Sequence, residues 1–227
     1  MHIEPMESRL ASFRDFAKHY LMIVLSILTA LGLEAWIEHA HHARAAEEAS
    51  QHIRTELLAN LADIRKSIKT NDRLITPLQQ LDATVSGDIR GNLPAATINQ
   101  HIQTQKNAFQ LSINWPTFSS QSWDVAVANQ SASWIDDARL RRYSQAYADL
   151  RETSNWVSHD GIALLDVPAM ERLRTRIDFG APVDPLEFAG TVRQMLHTSM
   201  ETQSHLQQLE SHLVDALGKE AESGAHD

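Results

Sequence analysis

Apolar residues are distributed along this chain in two distinct patterns. Residues 20–33 read YLMIVLSILTALGL, fourteen positions without a charge, and beyond Glu34 the residues Ala35, Trp36 and Ile37 extend the stretch to eighteen. As a helix, eighteen residues rise about 27 Å, close to the roughly 30 Å of a bilayer's hydrocarbon core. Nearly every position from Leu21 to Leu33 is apolar or small, so such a helix has no polar face to turn to water. Tyr20 and Trp36 bracket it as interfacial aromatic residues do. Glu34 falls within a turn of one boundary, where an ionised group costs far less than at the bilayer centre. A signal peptide and a buried core helix are the alternatives. Leu33-Glu34-Ala35 is a poor cleavage site, and Ala43-Arg44-Ala45 lies too far downstream. The pattern therefore predicts an uncleaved transmembrane helix over 20–37.

Past the span the pattern becomes periodic. Ile53, Leu57, Leu61, Ile64 and Ile68 recur at spacings of four, four, three and four, the stripe of an amphipathic helix. No Gly or Pro lies between Leu33 and Pro77, so anchor and stalk read as one long helix with its first break at Thr76-Pro77. Gly87 and Gly91-Asn92-Leu93-Pro94 mark turns, and Pro94 opens a helix through Ile98, Ile102 and Phe109. Ser119 or Ser120 caps a short helix through Trp123, Val125 and Val127, followed by a pause over 129–133. Asp136 or Asp137 then opens a long helix carrying Leu140, Tyr143, Tyr147, Leu150, Trp156 and Ile162. A loop over 178–182 precedes Asp184-Pro185, a cap followed by a helix-starting proline. The last helix carries Phe188, Val192, Met195, Leu206, Leu209, Leu213 and Leu217 and ends at Gly218.

Nothing alternates with period two long enough for a strand. The expected fold is all-α: an N-terminal transmembrane helix continuing into a long stalk helix that packs into an extracytoplasmic helical bundle. The expected divisions are an arm at 1–19, the span at 20–37, the helical domain at 38–220 and a tail at 221–227. The stripe from Ile53 to Ile68 covers only about two heptads, which favours the bundle's own core over an intermolecular coiled coil.

Charge gives the span a direction. Arg9, Arg14 and Lys18 precede it, with His19 beside them, whereas 34–50 holds Arg44 alone against Glu34, Glu38, Glu47 and Glu48. The positive-inside rule then places a single-pass protein in the cytoplasmic (inner) membrane, N-terminus in the cytoplasm and C-terminal domain periplasmic. Leu10, Phe13, Phe16 and Ala17 share a face, suiting an arm that lies on the inner leaflet. The arm's charges cancel, so the net charge of -9 belongs to the exported part and argues against nucleic acid as a partner. The chain of 227 residues has no Cys, which removes thiol catalysis, disulfides and Cys-type zinc sites.

Two blocks carry a family resemblance. One runs from the apolar segment through Glu34-Ala35-Trp36-Ile37-Glu38 to Ile53-Arg54-Thr55-Glu56-Leu57-Leu58-Ala59-Asn60. The other is Ser122-Trp123-Asp124-Val125-Ala126, then Gln130-Ser131-Ala132, Trp134-Ile135-Asp136-Asp137-Ala138-Arg139-Leu140 and the segment from Tyr143 to Tyr147. Together they resemble a widespread bacterial family of small, N-terminally anchored membrane proteins with a helical extracytoplasmic domain, over roughly residues 15–70 and 115–150. Ala128-Asn129-Gln130-Ser131 stands where that family carries a glycine-containing turn. The resemblance implies the anchor and the helical domain, and it brings no catalytic residues.

The candidate chemistry is sparse. Glu34, Glu38, His39, His41 and His42 cluster just outside the span. On a helix Glu38 and His42 are four apart and His39 and His42 three apart, so Glu38, His39 and His42 are candidate ligands for zinc, copper or nickel. A single helix supplies at most about three ligands, so closure needs a partner helix or second subunit. The competing reading is a solvated junction against the headgroups. Trp115, Trp123, Trp134 and Trp156 suit either a ligand pocket or a core. Ser158-His159-Asp160 is a local triplet whose adjacent members cannot face one another as a catalytic triad. Ser26 and Ala30 form a small-xxx-small pair in the span. With no phosphate loop, nucleophile elbow or zinc-protease motif, no enzyme activity and no cofactor is expected. The expected role is a protein-interaction or scaffold module with the lipid bilayer, and a protein partner or second copy, as partners. The alternative is a ligand- or metal-sensing module acting through a partner membrane protein.

Overall fold

One helix dominates the molecule. The computed structural model describes residues 7–156 and 165–218, with side chains from residue 15 on. In it α1 (Glu7–Arg90) runs unbroken for 84 residues, about 126 Å at 1.5 Å per residue. The described residues contain five further α-helices: α2 (Ala95–Thr104), α3 (Gln121–Ala128), α4 (Asp137–Asn155), α5 (Val167–Asp178) and α6 (Pro185–Leu217). Two single 3₁₀ turns lie at Lys106–Ala108 and Ser131–Trp134, and no strand occurs among the described residues. The all-α class is as expected. The tail at 221–227, Ile162, and Ser158-His159-Asp160 lie outside the described residues, as do the arm's residues 1–6 and the side chains of Arg9, Leu10, Phe13 and Arg14.

The break expected at Thr76-Pro77 is absent, for α1 passes straight through Pro77. A proline inside a helix removes one amide donor and costs about 3 kcal/mol. Here Ile75, Leu78 and Leu81 are buried on one face while Pro77 itself is exposed, so the ring and the orphaned carbonyl face water. Burial of apolar residues on both sides of the proline holds the helix together. Its true end is a Schellman turn: Leu93 N–H donates to the Asp88 carbonyl (3.1 Å) and Asn92 N–H to Ile89 (3.0 Å), with Asn92 left-handed at φ 51°.

The expected start signals hold at α4 and α6, where Asp136 and Asp184 accept from the amides of Arg139 and Glu187. Helix α4 spans Asp137–Asn155 with Trp156 still in helical conformation, and the expected extension to Ile162 lies outside the described residues. A separate α5 follows, capped by Asp166, which accepts from Ala169 N–H at 2.9 Å, with Pro168 in its first turn.

Helix α6 packs antiparallel along α1, because its residue numbers fall as those of α1 rise: Arg65–Glu210 (2.7 Å), Asp72–Gln203 (2.8 Å) and Asp82–Arg193 (3.2 Å). Two apolar cores lie along this pair. In the proximal one, nearer the apolar span, Ile53, Leu57, Leu61 and Ile64 of α1 meet Tyr143, Tyr147 and Leu150 of α4 and Leu206, Leu209 and Leu213 of α6. In the distal one, Ile75, Leu78, Leu81 and Val85 meet Ile98, Ile102, Phe109, Leu173, Ile177, Phe188 and Val192. Between them sits a buried polar layer of Ser67, Asn71, Thr198, Ser199, Thr202 and Gln203.

By length and composition α1 can cross a membrane, and none of its apolar window is buried against the rest of the chain.

Candidate functional site

The C-terminal half of α1 presents a ladder of polar residues to the segments that descend beside it. Asn60 and Asn71 are eleven residues apart, three helical turns, so they share a face. Each makes a two-way amide pair with the irregular stretch before α3. Asn60 donates to the Ser119 carbonyl (2.9 Å) and accepts from Ser119 N–H (3.0 Å), while Asn71 does the same with Asn114 (2.9 and 2.7 Å). Asn99 of α2 repeats the device on Val183, at 3.0 and 2.7 Å. A side-chain amide carries one donor and one acceptor edge, so it can stand in for a neighbouring strand where none exists.

One turn below Asn60, Glu56 collects donors from three elements. It accepts from the Tyr147 hydroxyl of α4 (2.5 Å), the Ser119 hydroxyl (2.7 Å) and Ser122 N–H at the start of α3 (3.0 Å). Burial pushes the Glu56 carboxyl up, but these hydrogen bonds outweigh it and hold the group below the ordinary glutamate range. Burial first, and then donation to Glu56, push the Tyr147 phenol far above its ordinary value, so it stays protonated as a donor. The Trp123 ring stacks on Tyr147 at 5.4 Å.

Below this hub a hollow of about 420 Å³ opens between α1 and α3, floored by Ala45, Ala49, Val125 and Ala126 and edged by Glu48, His52, Gln121 and Asn129. A second, of about 620 Å³, lies between α4 and α6, beside the Asp149–His212 pair at 2.9 Å and the Trp156–His205 ring contact at 4.3 Å.

The predicted ligand residues sit lower still. Glu38 and His39 are exposed, and the His42 ring stacks face to face on Trp134, centroids 3.6 Å apart and planes 8° from parallel. Among the described residues no three His, Asp or Glu side chains are gathered so as to hold a metal ion. The four tryptophans do not share one pocket. Trp115 packs edge-on to Phe118 and, like Trp123, lies against the proximal core, whereas Trp134 and Trp156 each pair with a histidine.

Sequence reasoning missed the Glu56 hub because its partners lie 63 to 91 residues away. The one local signal is an acidic side chain at the border of the Ile53–Leu57 stripe. No family model, curated protein or solved structure matches the chain.

Proposed function

We propose that the chain is a single-pass protein of the cytoplasmic membrane, N-terminus inside, whose extracytoplasmic helical bundle is a non-enzymatic interaction module for a protein partner or a second copy. The observation that carries this reading is the wholly unburied apolar window on a helix that continues, without a break, into the packed domain. Each leucine or isoleucine left in water forgoes about 1.5–3 kcal/mol of burial, so a hydrocarbon environment suits the window far better. The two aliphatic hydroxyls inside it, Ser26 and Thr29, donate to the carbonyls four residues back at 2.8 Å, so neither presents an unpaired donor to lipid. Beyond the window, Val125 and Leu186 offer isolated apolar surface for partners, and Phe179 is 86% exposed at the far end.

Reporter fusions at Asp227 test the topology. A reporter active only after export should work there, and an active cytoplasmic reporter would overturn the orientation. Crosslinking in intact membranes should recover either a homo-oligomer or one defined partner. Recovery of neither would remove the interaction role.

A sensing role is the second reading, favoured by one observation. The hollow beside Ala45, Glu48 and His52 lies on the same unbroken helix as the apolar window, so an occupant there would press directly on the element that enters the membrane.

A further inference from the structure

We propose that the turn carrying Trp134 is a foot by which the helical domain rests on the bilayer, with the free face of the Trp134 indole in the lipid headgroup layer. The proposal rests on the reading that 20–37 spans the membrane, and it adds a second, independent contact with lipid.

The depth follows from helix geometry. His42 is five residues beyond Ile37 on an unbroken helix, so its backbone lies about 7.5 Å past the apolar span. The headgroup regions extend a bilayer from roughly 30 to 40–45 Å, or about 5–7 Å on each side. Side chains on a helix lean toward its N-terminus, which brings the His42 ring closer to the membrane than its backbone. The Trp134 ring, stacked 3.6 Å from His42, is held at that same level.

Among the described residues, the chain's course makes this turn the lowest point of the packed domain. Ser119 pairs with Asn60, Ser122 with Glu56, Ser131 borders the hollow beside Ala45 and Ala49, and Trp134 reaches His42. Helix α4 then climbs again, from the Arg139–Glu47 pair to the Tyr147–Glu56 hydrogen bond. Helix α6 runs down only as far as Leu217, which packs in the proximal core. Trp134 is thus left 51% exposed, whereas Trp115, Trp123 and Trp156 are partly buried. An indole with one apolar face and one N–H donor suits the boundary between tails and headgroups, as Trp36 does at the end of the span.

The charges around the foot identify the lipid chemistry. Arg139 is engaged by Asp136 and Glu47, and Glu38, Glu48 and Asp137 are exposed nearby with Arg44. With the exposed Arg141 and Arg142 that follow Arg139 on α4, these charges nearly balance and do not select anionic lipid. The contact is one of aromatic surface with a zwitterionic headgroup layer.

The absence of native cysteine makes the test direct. Ser133→Cys, Phe179→Cys and Leu28→Cys each give the full chain one site for a nitroxide label, read after reconstitution in phosphatidylcholine vesicles. The label at 133 should be several-fold less accessible to a water-soluble nickel chelate than the label at 179. Adding Trp134→Ala should raise access at 133 toward the value at 179. Equal nickel access at 133 and 179, with the label at 28 shielded, would overturn the foot and leave the span standing. A label at 28 open to nickel would overturn both. Brominated phosphatidylcholine provides a check that needs no cysteine. Lipid brominated high on its acyl chains should quench the unsubstituted chain more than the Trp134→Phe chain, and equal quenching would overturn the proposal.

Discussion

Gln130 holds its backbone at φ 65°, in the left-handed region that glycine occupies freely and other residues enter at a cost of about 1 kcal/mol or more. The turn needs this conformation, because the Gln130 carbonyl must accept from both the amide and the hydroxyl of Ser133, at 3.1 and 2.6 Å. Gln130→Gly should therefore raise the unfolding free energy by about 0.5–1 kcal/mol, the relieved strain exceeding the entropy that glycine adds to the unfolded chain. Urea titration of the chain in detergent checks this, and a loss of stability would contradict the strain. Glu56 makes a different kind of prediction. Its carboxyl lies below the ordinary range when folded, so its stabilising contribution is fully present above about pH 4.3 and is lost as pH falls through the lowered folded value. Tyr147→Phe removes one donor to this charge and should cost about 1.5–3 kcal/mol at neutral pH. The cost should shrink in acid, once the carboxyl is neutral, and urea titrations at the two pH values read the difference.

At the scale of elements, local chemistry was readable wherever a single stretch of chain decides the outcome. The stripe from Ile53 to Ile64, the Asp184-Pro185 start of α6 and the Asn92 turn all follow from a few adjacent residues. Pro77 was misread because its local penalty is outweighed by Ile75, Leu78 and Leu81, whose partners on α2 and α6 no window of sequence displays. The segment before α3 was equally opaque. It has no periodicity because the amides of Asn60 and Asn71, distant in sequence, satisfy its backbone. These two outcomes can be tested on the same footing. Pro77→Ala should restore a helix donor without touching the buried face, stabilising the chain by up to about 3 kcal/mol. If the helix broke there, the substitution would be neutral or harmful. Asn71→Ala strips the backbone N–H and carbonyl of Asn114 of their partner, and the loss of two hydrogen bonds at about 0.5–1.5 kcal/mol each should cost about 1–3 kcal/mol by thermal or urea unfolding.

The whole molecule is two apolar cores threaded by the same two helices, with the polar layer between them. The candidate metal residues on the junction were legible as types and spacings, yet what stands beside His42 is Trp134, brought down by a loop ninety-odd positions away. The layer itself is imperfectly satisfied. Gln203 donates to the Ile68 carbonyl and to Asp72, which fixes the register of α6 on α1, but its own carbonyl oxygen and the Thr198 hydroxyl have no partner among the described residues. A buried orphan hydroxyl costs about 1–3 kcal/mol, and valine replaces threonine with nearly the same shape. Thr198→Val should therefore stabilise the chain by about 1 kcal/mol or more, with Thr202 still donating to the backbone carbonyl at 198. The same variant tests whether the cores act as one unit. The distal core contains no tryptophan, Trp115 and Trp123 lie against the proximal one, and Trp36, Trp134 and Trp156 belong to neither, so fluorescence follows the proximal core and is blind to the distal one, while circular dichroism reports all helices. If α1 and α6 couple the tiers, both signals should move together to higher urea in Thr198→Val, as a two-state transition requires. Separation of the two curves, with fluorescence unmoved, would instead make the polar layer a boundary between independently unfolding halves.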